Sequence, residues 1–329
     1  MRNAGRTTVE LTVTDKSMSP IAVYDDFTLD MACGYCDDAE NDFTLTLPKT
    51  PSGAGIGSMI HILGTEWGGI VDSVRTDVVD GTGTVSLLGR TWTGLLASKI
   101  LQPDSGQDYL KYKGQVKDAI PWLINRIGLG QAFTAGVCDG AVNYQFDRYC
   151  DAYDGLRKML ATINMRPTFT STGRTVLLGC EPITSYGGVT DPTIMDFTIT
   201  NKAHAVNHLI CLGSGELHAR LRLDLYADKS GNISEKQTFT GLEEHAEIYD
   251  YTNATIDELR KDGTKKLADL QTKSEIKATT STTLDAQLGD RLTGIDAEHG
   301  IKCTAEIQKK ILKISNGVTE TDYELAAIN

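Results

Sequence analysis

No stretch of this 329-residue chain approaches the ~18 consecutive apolar side chains of a membrane-spanning helix. The opening MRNAGRTTVELTVTD also lacks the apolar centre of a secretion leader. Together these absences predict a soluble protein made and kept in a cytoplasm-like setting. Basic charge is short as well: 32 Lys and Arg stand against 44 Asp and Glu, a net charge of −12. That balance argues against a surface that grips nucleic acid by neutralising phosphates. Catalytic signatures are missing too, with no HExxH, GxSxG or DxDxDG, so zinc-protease, serine-hydrolase and EF-hand chemistry each lack their motif.

The seven cysteines, at 33, 36, 138, 150, 180, 211 and 303, are odd in number and lie mostly in apolar or strand-like contexts, which predicts free, buried, reduced thiols. Cys33 and Cys36 form a CxxC. A redox pair needs a helix N-terminus that lowers one thiol's pKa, and a zinc pair needs a second pair of ligands; neither context appears. Gly53, Gly55 and Gly57 precede a strand where a phosphate loop demands a helix, and no Lys-Ser/Thr follows, so they read as a turn. His204, His208 and Cys211 sit on a strand that points Cys211 away from the two histidines, which excludes a convergent metal site. No catalytic, cofactor or metal residue is assigned.

What is present is alternation. Residues 7–14 (TTVELTVT), then Ile21, Val23 and Tyr24 after the Ser19-Pro20 break, read as two strands, and DFTLTLP as another. From Met59 to Leu101 apolar residues alternate through Ile60, Ile62, Ile70, Val74, Val78 and Val79, and again at Val85 and Leu87, which predicts half-buried strands. Asp80-Gly81 is the hairpin turn, because a tight primed turn needs positive φ. After Gly89 the period lengthens, placing Trp92, Leu95, Leu96 and Ile100 on one face of a short helix. Between Asp25 and Asp42 lie seven acids and no Lys or Arg. The segment reads as a solvated hairpin tip whose charges blunt a sheet edge, or as an acidic ring or divalent-ion site.

Past Pro103 the composition shifts. Val116, Ile120, Leu123, Ile124 and Ile127 mark one helix. Asp151 caps a second, with Tyr153, Leu156, Leu160 and Ile163 inward and Pro167 ending it, and a hairpin follows that turns at Thr172-Gly173. Further on, 205–228 alternates and turns back at Lys229 to Gly231. A helix over 255–272 opens with a Thr255/Glu258 capping box and turns Ile256, Leu259, Leu267 and Leu270 inward. Gly263 interrupts that helix at ~1 kcal/mol relative to Ala, as a kink or close contact would require. Gly289-Asp290 and Asn316-Gly317 punctuate the last strands.

In this order YDDFTLDM, DFTLTLP, GSMIHI, WGGIVDSV and LLGRTWTGLLASKIL, then NHLICLGSGE, Arg220 to Tyr226, DELRKDGTKKLADL, LGDRLTGIDAEHGI and ISNGVTETDYEL, resemble segments of the tail-hub proteins at the tip of long-tailed bacteriophages. These belong to the same broad class as the central hub of contractile-phage baseplates. The resemblance implies a mainly β fold with α+β insertions: two tail-tube-like antiparallel β-barrels, over 1–104 and 191–329, with an α/β module at 105–190 and the helix 255–272. It marks Trp67, Asp72, Gly89, Arg90, Asn207, Arg220, Gly289 and Asp290 as structural or interface positions.

It further implies a homotrimer in the virion, assembled in the host cytoplasm, that adapts a sixfold tube to a threefold tip. Its partners would be a distal tail protein, the tape-measure terminus and a tip or receptor-binding protein. DNA would pass without specific binding, repelled by carboxylates for which Asp25, Asp26, Asp37, Asp38, Glu40 and Asp42 are candidates. The chain stops at Asn329, so no cell-wall-degrading domain is expected in it. The alternatives are the hub of a contractile injection system or tail-like particle, a thiol oxidoreductase using Cys33 and Cys36, or a hydrolase using the acidic segment.

Overall fold

The computed structural model describes residues 9–36, 40–80, 82–187, 195–201, 206–271, 274–280, 285–296 and 301–328. Strands β1 (Leu11–Thr14), β2 (Pro20–Tyr24), β3 (Thr28–Gly34), β4 (Asp42–Thr46), β5 (Met59–His61), β6 (Gly68–Val79) and β7 (Thr82–Thr91) lead into helix α1 (Trp92–Ala97). Then follow β8 (Lys111–Gln115), α2 (Val116–Arg126), β9 (Phe133–Ala135), β10 (Ala141–Gln145), α3 (Ala152–Ala161), β11 (Met165–Ser171), β12 (Val176–Pro182) and β13 (Ser185–Tyr186). The chain continues through β14 (Met195–Asn201), β15 (His208–Leu212), β16 (Arg222–Ala227), β17 (Ile233–Ser234), β18 (Ala246–Asp250) and α4 (Ile256–Asp269). It closes with β19 (Ser274–Thr280), β20 (Arg291–Asp296), β21 (Ile301–Ser315) and β22 (Val318–Ala327). It divides into two compact units: Met1–Asp196 with Ala278–Gly294 and Glu306–Leu325, and Phe197–Lys277 with Ile295–Ala305 and Ala326–Asn329.

The first unit is organised on an eleven-stranded sheet ordered β13-β20-β21-β3-β4-β7-β6-β5-β1-β2, with β22 also on β21. Inward side chains of β1, β3, β4, β5, β6, β7 and β21 (Leu11, Met31, Leu45, Ile60, Val71, Leu87 and Leu312 among them) meet in one buried cluster, so the sheet curls around its own face. Its ladder is an open path, and no pairing among the described residues closes it into a barrel. The mainly β class thus holds, with barrel closure outside what these pairings contain.

The acidic stretch 25–42 is not one hairpin tip. Within it β3 pairs with both β21 and β4, because Leu29, Met31 and Cys33 alternate inward between the acids. Asp80, at φ 48°, opens the predicted β6–β7 turn, while Gly81 lies outside the described residues. The half-buried expectation fails beyond Val71: residues 72–78 are exposed, including Val74 and Val78.

Helix α1 begins where the period changes, capped by Thr91, and buries Trp92, Leu95 and Leu96. Ile100 falls beyond the helix, exposed, in an isolated bridge to Asp151. The adjoining α/β portion packs α2 and α3 with β8–β10 and the order β11-β12-β9 over a second core. Asp151 caps α3 as expected. Pro167 does not end that helix, which stops at Ala161; it lies in β11, an edge strand that leaves the proline nitrogen no ladder bond to lose. The all-reduced expectation for cysteine is overturned by Cys138 and Cys180, joined in a disulfide with Cα atoms 5.0 Å apart. The cause is tertiary: the segment after β9 returns against β12, with the Cys180 amide bonded to the Val137 carbonyl.

In the second unit the order is β17-β16-β15-β18, covered by α4. The Thr255/Glu258 capping box forms. Leu259 and Leu267 are buried on Leu209, Cys211 and Leu225, but Ile256, in the first turn, is exposed. Gly263 is a close contact: a Cβ there would lie 2.6 Å from the Cys211 sulfur.

Candidate functional site

Three of the sequence-marked positions meet at one bulge. The β6–β7 register slips between Val71 and Ser73, leaving Asp72 extra. Opposite it, a Cβ on Gly89 would run into the Ile70 carbonyl oxygen and the Asp72 nitrogen, so only glycine lets the strands approach. The freed Asp72 carboxylate takes a fork from Arg90, Nε to Oδ2 and Nη2 to Oδ1, each 2.8 Å, and Arg90 Nη1 reaches the Ser98 hydroxyl at 2.8 Å. Hydrogen bonding from Arg90 holds the Asp72 carboxyl below the usual range. Trp67 is elsewhere, buried in the sheet core with the Lys310 ammonium 5.2 Å from its ring centre.

Gly289 and Asp290 fasten the α/β portion to the sheet within the first unit. Gly289 takes φ +88°, and fully buried Asp290 accepts from Arg166 Nε at 2.9 Å, the Thr184 amide at 2.8 Å and the Gln287 amide at 2.9 Å. Both carboxylate oxygens are therefore satisfied, which a buried charge requires. Nearby lies a cavity of about 460 Å³ walled by Trp67, Arg166, Phe169 and Lys310. Its cations are matched internally, Lys310 by Glu66 and Gln287, Arg166 by Asp290 and Glu181.

The named acids do not form one group. Asp25 and Asp26 are exposed before β3, whereas Glu40 and Asp42 are exposed after it; Asp37 and Asp38 lie outside the described residues. The structure adds Asp30, outward on β3 opposite Thr44. Asp42 is raised by desolvation and then by Glu40 and Asp30, while Lys309 lowers it; Lys313 of β21 lies opposite Asp30, and these two lysines pair with Glu324 and Asp322 of β22. That face continues through Thr28, Thr44 and Thr46, with the Thr46 and Ser86 hydroxyls 2.9 Å apart. Alternation in TLDMACG carries the signal for Asp30, since Leu29 and Met31 face inward.

In the second unit Asn207 and Arg220 both hold β18. The Asn207 amide donates to the Glu243 carbonyl at 2.7 Å and accepts from the His245 amide at 2.9 Å. Arg220 bonds the Gly213 carbonyl at 3.1 Å and the Asp250 carboxylate. His208 lies between Glu244, 2.6 Å from Nδ1, and Asp224, 2.8 Å from Nε2, and Cys211 is buried away from them; His204 lies outside the described residues.

Cys33 is buried and its thiol is pushed up to about 11 by burial, the reverse of an activated nucleophile. Cys33 is a free thiol. Among the described residues no three His, Cys, Asp or Glu side chains converge as metal ligands, and no helix is long and apolar enough to cross a membrane. The arrangement is one of pins, faces and edges.

The sequence matches no family model and no curated protein. Among solved structures it is similar to the tail protein of Neisseria meningitidis MC58, at TM-score 0.50 and 18% identity over 97% of both chains. It is also similar to the 43 kDa tail protein of prophage MuSo2 from Shewanella oneidensis, at TM-score 0.51 and 12% identity, over 96% of this chain and 98% of that one. At such identities the likeness is one of fold, and it runs nearly end to end. The chain has the phage tail-protein fold.

Proposed function

We propose that this chain is a structural protein of a phage tail tip, a homotrimeric hub that adapts the sixfold tail tube to a threefold tip and lines or closes the DNA channel. The observation that carries the reading is the fold likeness to a tail protein over 97% of both chains. In the hub the curled sheet of the first unit and the sheet of the second act as tube-like barrel domains. The Asp30, Glu40 and Asp42 face, rich in acids and hydroxyls, suits a wall past which a polyanion slides without sticking. Its neighbours are a distal tail protein above, the tape-measure terminus within and a tip or receptor-binding protein below. The protein works by assembly and not by catalysis.

Labelling intact particles with an antibody to this chain tests the reading by electron microscopy. Label confined to the distal end of the tail supports it, and label on the capsid or absent from particles contradicts it.

A further inference from the structure

Strand β18 is an edge without proline or lysine, guarded only by the acids Glu247 and Asp250. It pairs in parallel with β15 on one side, and among the described residues no strand pairs on the other. Three other edges are blunted, β2 by Pro20, β11 by Pro167 and β17 by its two-residue length. β18 (AEIYD) has five residues and no proline, lysine or arginine, and Ile248 is 63% exposed. The Tyr251 amide bonds inward to the Leu212 carbonyl, and the His245 carbonyl also faces inward, accepting from Asn207 and His208. By alternation the N–H and C=O groups of Ala246, Ile248 and Asp250 point away from the sheet. The edge is also held ready, by Asn207 and His208 at one end and Arg220 at the other.

The occupant follows from charge. Between Lys236 and Arg260 the sequence has six acids (Glu243, Glu244, Glu247, Asp250, Asp257 and Glu258) and no Lys or Arg. Antiparallel pairing with a second copy of this chain would set Glu247 opposite or diagonal to Glu247, according to register, in a protein already at −12, and like charges across adjacent strands repel. We propose that β18 takes an extended segment of a different tail protein as an added strand, with apolar residues alternating with Lys or Arg. Main-chain bonds to Ile248 and Asp250 supply the pairing, Ile248 and fully exposed Leu242 the apolar contact, and Glu243 and Glu247 the selection for positive charge.

This deepens the tail-structural reading, on which it rests, by giving the chemistry of one neighbour. The probe is a fluorescent peptide of four Val-Lys repeats, titrated into the full chain at near-physiological salt, with Val-Glu and Gly-Lys repeats as controls. The Val-Lys peptide is expected to bind at least ~10-fold tighter than either control. It should slow hydrogen exchange at the Ile248 and Asp250 amides, and Glu247→Lys should weaken it by about 10-fold. Absence of binding, equal binding of Val-Lys and Gly-Lys, or binding without slowed exchange at those two amides overturns the proposal. A monomeric chain that captures the peptide would remove the trimer and keep the edge; a trimer that ignores it would do the opposite.

Discussion

Arg90 grips Asp72 with two parallel bonds of 2.8 Å across a bulge that exists only because residue 89 has no side chain. The ion pair and the glycine make unequal contributions. The pair is more than a third exposed, so Arg90→Ala is expected to cost under ~1 kcal/mol. Gly89→Ala forces backbone against backbone and is expected to cost about 3 kcal/mol or more, several degrees in Tm. Thermal unfolding of the two variants checks the order; a Gly89→Ala protein as stable as Arg90→Ala would show that the bulge relaxes freely.

His61 makes the fold acid-sensitive. Its Nδ1 lies 2.6 Å from the Ser171 hydroxyl, its Nε2 is buried without a hydrogen-bond partner among the described residues, and burial pushes it from 6.5 down to about 4. Between those values the unfolded chain binds a proton that the folded one refuses. Stability that is full above 6.5 therefore falls as the pH drops toward 4, by roughly 3 kcal/mol. His61→Gln keeps a polar atom for Ser171 and cannot titrate there, so its Tm should fall less between about pH 7 and pH 4.5 than that of the parent. Parallel Tm profiles for the two proteins would refute this assignment.

Gly263 sets helix propensity against packing. Alanine there gains ~1 kcal/mol of helix propensity, yet its Cβ would meet the buried Cys211 sulfur at 2.6 Å and Leu225 at 2.9 Å. Gly263→Ala is expected to destabilise by about 1–3 kcal/mol, and Cys211→Ala in the same chain to recover most of the loss. Additive losses in the double variant would sink the explanation.

Local patterns were legible where a single segment carries its own instruction. The Thr255/Glu258 box, the Asp151 cap and the Asn316-Gly317 turn, with φ of 52° and 71°, depend on residues a few positions apart. The misreadings have a common physical source. Val74 and Val78 alternate like core residues, but exposure depends on what lies opposite, and past Val71 the hairpin has outrun its core. Pro167 reads as a helix stop until β11 proves to be an edge, and the Cys138–Cys180 bond joins segments that only the tertiary fold brings together. Of the marked residues, Asp72, Gly89 and Arg90 were adjacent in the fold, whereas the roles of Asn207 and Arg220 in pinning β18 needed the three-dimensional arrangement. Asp30 was hidden among seven acids that sequence alone treats alike.

The most direct test of the hub is the mass of the purified full chain in solution, by light scattering coupled to size exclusion across a range of concentrations. A homotrimeric hub is expected as a species near three times 35.7 kDa that persists on dilution. A stable 35.7 kDa monomer at micromolar concentration would contradict it.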